Sequence, residues 1–252
     1  MLFIIKKGVI YEKIKLCRGG GRLKAPAFTL AEGATHVVIL NSLSKYAFTL
    51  AEVLVTLGII GVVAALTMPS LIQNHNKQII ETRLKKFYST INQAILMAEQ
   101  DKNIMRTDWK LVAECDYADR NSYSCNLKVF NEYFKDYIKY TKLENINNNL
   151  YVYFTDGSVV KLAYLCQDFY FYPKASGIKK DIPGKDRFLF GFYPAGADGN
   201  RNQYFKNLGV EPYIHSDWDG TEEGLYVNCN NAAKIIQLND WIIPDDYPCF
   251  KN

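Results

Sequence analysis

Glu52 is the carboxylate whose surroundings most need explaining. It lies at the edge of the run AFTLAEVLVTLGIIGVVAALTMPSLI (residues 47–72), and no Asp, Glu, Lys or Arg follows it until Lys77. An ionised acid at the margin of an apolar helix is unfavourable unless a positive group meets it, so the chemistry implied is ion pairing. A second set of carboxylates, Asp217, Asp219, Glu222 and Glu223 in SDWDGTEEG, shares a glycine-containing loop and offers the hard oxygens that calcium takes. The spacing departs from the EF-hand pattern, so a solvated turn is the default and calcium the one cofactor to test. Asp181, Asp186 and Asp198 are further loop acids with the same weak case. His215, Ser216 and Asp217 have the residue types of a nucleophile triad, but consecutive side chains diverge. No G-x-S-x-G, H-E-x-x-H or glycine-rich phosphate loop is present, and nothing argues for an enzyme. His75 reads as a solvated polar residue.

The element that positions Glu52 is a helix. From Phe48 to Leu66 it would rise about 1.5 Å per residue and span close to 30 Å, the thickness of a bilayer's hydrocarbon. An ordinary anchor satisfies that length but has no need of Glu52. A secretory signal would have a shorter apolar core, of about 7–15 residues, and a cleavage site after it. Gly58, Gly61 and Ala65 recur at steps of three and four, so they share a face on which helices can approach closely. Pro69 removes one backbone hydrogen bond and is expected to bend the helix where the anchor gives way to a water-exposed stem. Beyond it Ile72, Ile80, Leu84, Phe87, Ile91, Ile95 and Ala98 repeat at helical spacing, with Lys77, Arg83, Lys85 and Lys86 between them.

The hexapeptide Ala47-Phe48-Thr49-Leu50-Ala51-Glu52, which follows Lys45, resembles the cleavage and N-methylation motif of the type IV pilin and type II secretion pseudopilin superfamily. The resemblance implies that a membrane prepilin peptidase cuts between Ala47 and Phe48 and methylates the new amine of Phe48. Ala47 stands where that family usually has glycine. It further implies that Glu52, four residues after the new N-terminus, pairs with the amine of a neighbouring subunit during assembly. Gly61 and Pro69 fall on the family's helix-loosening positions. Implied partners are the peptidase, other pilin or pseudopilin subunits and an inner-membrane assembly platform. The implied location is a single pass through the inner membrane with the head outside the cytoplasm, and then the filament. The resemblance is specific over residues 45–72, general along the stem and loose thereafter.

Charge fits this topology. Residues 1–47 carry eight Lys or Arg against Glu12 and Glu32, and the rest of the chain holds 22 basic and 24 acidic residues. A basic leader retained inside satisfies the positive-inside rule, and the whole chain's +4 makes no case for nucleic-acid binding. The leader holds a second copy of the hexapeptide, Ala27–Glu32, but GATHVVILNSLSK after it cannot span a bilayer.

Four segments are therefore expected: a cleaved leader (1–47), a transmembrane half-helix (48–72), an amphipathic stem (73–104) and an extracytoplasmic head (105–252). The fold class is α+β; the stem's apolar stripe requires some sheet or helix to cover it, and the pilin resemblance implies a long N-terminal helix packed on a small antiparallel sheet. In the head, residues 128–140 suggest a second helix with Phe130, Phe134, Tyr137 and Ile138 on one face. Leu150–Thr155 and Ser158–Leu165 read as strands joined by a two-residue turn at Asp156-Gly157, and Arg187–Tyr193 and Leu225–Cys229 are weaker strand candidates. Cys17 leaves with the leader, so five cysteines remain. The resemblance pairs Cys229 with Cys249, Cys115 and Cys125 could close a short loop, and Cys166 is left free or paired otherwise. No C-x2-C or neighbouring histidine favours zinc. The eighteen tyrosines are treated as structural first. The alternative to a filament subunit is an anchored binding module for calcium or surface glycans that does not polymerise.

Overall fold

The computed structural model describes residues 49–110, 115–116, 118–195, 204–215 and 218–250. The leader, the earlier hexapeptide and the Ala47–Phe48 junction lie outside them. The chain divides into two units, Met1–Val53 and Leu54–Asn252, and of the first only Thr49–Val53 is described.

One helix, α1 (Leu50–Lys102), carries both the apolar run and the stem. Ile80, Leu84, Phe87, Ile91, Ala94, Ile95 and Ala98 are buried, and their steps of three and four place them on one face. Ile72, expected on this stripe, is exposed and belongs to the apolar run. The stripe lies on an antiparallel sheet of β1 (Lys142–Ile146), β2 (Asn149–Tyr153), β3 (Val159–Ala163), β4 (Asp168–Tyr172), β5 (Phe188–Gly191) and β6 (Glu211–Pro212), in that spatial order. The result is an α+β fold. Register places Leu150, Leu162, Phe169 and Phe190 in one cross-strand row and Val152, Val160, Phe171 and Phe188 in the next. These two rows form the buried core with the α1 stripe. Phe87 sits at their centre, stacked on Phe171 at 4.5 Å and edge-on to Phe190 at 5.2 Å and Phe154 at 6.1 Å. On the opposite face Tyr151, Val159 and Tyr172 pack with Ile178 of a following 3-10 turn, Ala175–Lys179. One sheet edge carries Lys142 and Glu144, and the other stops at Pro212, which has no N–H to offer a further strand.

Several local expectations are corrected. The second helix, α2, spans Tyr123–Tyr133, earlier than expected, because Ser122 accepts a hydrogen bond from Cys125 N–H and caps it. Tyr137 and Ile138 lie beyond its end, although Phe130, Phe134 and Ile138 are still buried. Leu225–Cys229 is not a strand. Thr221 caps the short helix α3 (Glu222–Leu225), and the chain continues through a 3-10 turn, Cys229–Asn231, into α4 (Ala232–Leu238). The Asp156-Gly157 hairpin has a three-residue loop, since Phe154 N–H still bonds Ser158 O and Gly157 takes φ +81°. That geometry is a turn closed by a left-handed glycine bulge. The two-residue hairpin is instead β1–β2, where Asn147 and Asn148 both have positive φ.

Between β3 and β4, Tyr164, Leu165 and Cys166 have φ of 50°, 60° and 57°. Each such position costs on the order of 1–3 kcal/mol and persists only where surrounding structure fixes it. Here Asn121 Oδ1, Arg120 O and Asn126 Oδ1 accept the three N–H groups in turn, at 2.9–3.0 Å. Asn126 is wholly buried.

Phe87→Ala is expected to destabilise the head by about 3–5 kcal/mol, read as a fall in Tm of the full chain in detergent. A second expectation concerns Asp156, which joins the β2–β3 turn to Lys86 of α1 at 2.8 Å. Burial pushes its carboxyl up, but hydrogen bonds from Lys86 and Ser158 prevail and hold it at about 2, below the ordinary 3.8. A depressed folded-state pKa gives stability that is present above the ordinary value and lost as pH falls toward the folded one. The Tm gap between wild type and Asp156→Asn should therefore narrow below pH ~4 and close near pH ~2.

Candidate assembly site

Thr49 precedes the first helical residue, and Glu52 lies three positions after it. Thr49 Oγ1 accepts from Glu52 N–H at 3.2 Å, while Glu52 Oε2 accepts from Thr49 N–H and Oγ1–H, both at 2.9 Å. This is a capping box, in which two N–H groups at a helix start are satisfied reciprocally and a negative charge sits at the positive end of the helix dipole. The T-x-x-E signature was present in the sequence, and Thr29 and Glu32 repeat it in the leader.

From Leu54 to Ile72 the large apolar side chains of α1 are exposed. The helix is long and apolar enough to cross a membrane. A methyl group added at Gly58 or Gly61 would meet nothing within 4 Å. A helical glycine costs about 1 kcal/mol relative to alanine, and no contact within the described residues compensates for either. The helix is unbroken through Pro69, with Thr67 Oγ1 donating to Val63 O at 2.9 Å and Ser70 Oγ to Thr67 O at 3.0 Å.

In the head, Asp219, Asp181 and His215 are engaged in hydrogen bonds within the fold. Asp217 and Ser216 lie outside the described residues, as does Asp198. Asp219 Oδ1 accepts from Thr221 N–H at 2.9 Å and Oγ1–H at 2.7 Å, and these bonds hold its carboxyl below the usual range. Glu222 and Glu223 form the exposed first turn of α3. Among the described residues no three His, Cys, Asp or Glu side chains converge as a metal site would require. Asp181 is held by Tyr172 Oη–H at 2.7 Å and by Arg187 at 2.6 Å. His215 N–H bonds Asn231 Oδ1. Many tyrosine hydroxyls also have internal partners: Tyr88 with Glu211, Tyr137 with Asp101, Tyr193 with Asp168 and Tyr247 with Gly184 O.

Disulfides join Cys115 to Cys125 and Cys229 to Cys249, and Cys166 is free and buried. Its thiol donates to Asn126 O, and burial raises its pKa well above the ordinary value.

Residues 70–250 match a family of unknown function (DUF6613). No curated protein and no solved structure matches the chain.

Replacing Cys229 and Cys249 together with serine is expected to lower head stability by about 3 kcal/mol, measured by thermal melting. In the same preparation Cys166 of the wild type should resist alkylation until the head unfolds, because it is buried and un-ionised.

Proposed function

We propose that this chain, which belongs to the DUF6613 family, is a filament subunit of the pilin or pseudopilin kind. The observation that carries the reading is an exposed, bilayer-length apolar helix that has one carboxylate at its start and runs unbroken into the stem of an α+β head. Gly58 and Gly61 support it, since glycines without a use in the monomer are accounted for by close packing among identical helices. The precursor is held in the inner membrane with its head outside the cytoplasm. A prepilin peptidase cleaves it between Ala47 and Phe48 and methylates Phe48, and the mature chain polymerises from an assembly platform.

The capping box refines the role of Glu52. Cleavage would create an ammonium on Phe48, one residue before Thr49, whose N–H the Glu52 carboxylate already accepts. Glu52 thus has a local task and an assembly task, and the two can be separated. Glutamine serves at the third position of a capping box but brings no charge.

Glu52→Gln should therefore be cleaved and inserted normally yet enter filaments roughly tenfold less well or worse, as counted in sheared-surface fractions. Wild-type incorporation of that variant would refute the ion-pair mechanism. The mature N-terminus is read by intact mass and N-terminal sequencing. N-methylated Phe48 is the expected result, and an intact leader in cells with an active prepilin peptidase favours the anchored module.

A further inference from the structure

The end of the head nearest the anchor contains a cavity of about 570 Å³. One wall is a single face of α1, with Gln73, Asn76, Lys77 and Ile80 at the i, i+3, i+4 and i+7 positions that directly follow the exposed apolar run. The other walls come from two stretches distant in sequence, the loop after β4 and the C-terminal turn at Pro244–Phe250. They bring Lys174, Lys180 and Lys185 to the same space as Lys77. Four lysines face two carboxylates, Asp186 and Asp245, and among the described residues none of the four pairs with an acid within 4.0 Å. Lys174 Nζ donates at 2.6 Å to the neutral amide oxygen of Asn76, which orients the ammonium without neutralising it. Asp186 Oδ2 is buried with no hydrogen-bond partner.

Depth argues for one occupant. The exposed run Leu54–Ile72, which adjoins the head, matches the hydrocarbon thickness as well as Phe48–Leu66 does, and if it is the stretch that fills the hydrocarbon, Lys77 lies about 7.5 Å further along the helix. The polar region on each side of a bilayer is about 5–7.5 Å thick, so the Lys77 backbone lies at its outer edge and a lysine side chain there reaches back to the lipid phosphates. We infer that this cavity is a seat for the headgroup of an anionic phospholipid, its phosphate held by Lys77, Lys174, Lys180 and Lys185. The inference rests on the membrane-anchored reading of α1 but not on filament assembly. It assigns the anchor-facing end of the head a preferred leaflet composition and a fixed height above it.

The test uses the full chain in nanodiscs of phosphatidylcholine alone or with phosphatidylglycerol added, and reads lysine acetylation rates by mass spectrometry. A lysine near an anionic surface gains about 1 kcal/mol, or roughly fivefold. The four cavity lysines should therefore label roughly fivefold more slowly in the phosphatidylglycerol discs and keep most of that protection at high salt, because a seated headgroup is screened little; loss of the difference at high salt would assign it to the anionic surface alone and overturn the seat. Lys139 is the internal control. It lines a separate groove with Met97, about 30 Å further along α1, and should label alike in both lipids. Insertion with equal cavity-lysine rates in the two lipids overturns the inference and leaves the anchor reading intact. Failure of the chain to enter nanodiscs of either kind overturns both. Protection by inorganic phosphate in phosphatidylcholine discs, as complete as that by phosphatidylglycerol, would assign the cavity to a free anion and overturn the lipid assignment.

Discussion

Phe87 lies where the stem of α1 crosses the sheet, and the head is organised around that crossing. Two four-residue rows, each drawn from β2, β3, β4 and β5, present Leu, Val and Phe side chains to one helical stripe. Burial of this kind stabilises by roughly 25 cal/mol per Å² of apolar area, and aromatic pairs add something beyond area. The stripe leaves the rest of the helix surface unused. That permits the same helix to continue below the head as an apolar rod, with no change of secondary structure between the two environments.

The start of that rod has its own requirement. A helix beginning inside or beside a membrane must satisfy its first N–H groups without water, and Thr49 with Glu52 does so for two of them. Glu52 is therefore useful before any partner arrives. A carboxylate kept in place by a cap is also already oriented, so a neighbour's ammonium would not have to order it. The cap and the proposed ion pair are successive uses of one group.

What could be read in the sequence follows from where periodicity was strong. The stem stripe was visible because apolar residues recur over many turns, and the β2–β3 pair because Tyr, Val and Phe cluster on both sides of Asp156-Gly157. β1 was not visible: KLENI is a polar edge strand, and its Asn-Asn turn lacks the glycine that marks such hairpins. The left-handed run at Tyr164–Cys166 had no local signal at all, because Asn121 and Asn126, which hold it, lie about forty residues earlier. Leu225–Cys229 misled because its Leu, Tyr and Val have strand propensity while the deciding residue, the cap Thr221, lies outside the segment. The capping box at Thr49 is written in the sequence as T-x-x-E, so Glu52 carries two signals at once. The lysine cavity was illegible for a different reason. Its four cations are spread over more than a hundred residues and meet only through the fold.

The strand order β1 through β6, each strand bonded to its neighbour in the chain, has a consequence for how the head comes into being. A polypeptide delivered N-terminus first can add each strand to one already in place, so no open edge waits long for a distant partner. The element that does wait is α1, which emerges before anything exists to cover its stripe. During that interval Leu84, Phe87 and Ile91 are the most adhesive surface the nascent molecule presents. On the proposed reading, a bilayer holding the lower half of the same helix would fix one end of that surface in place until the sheet arrives.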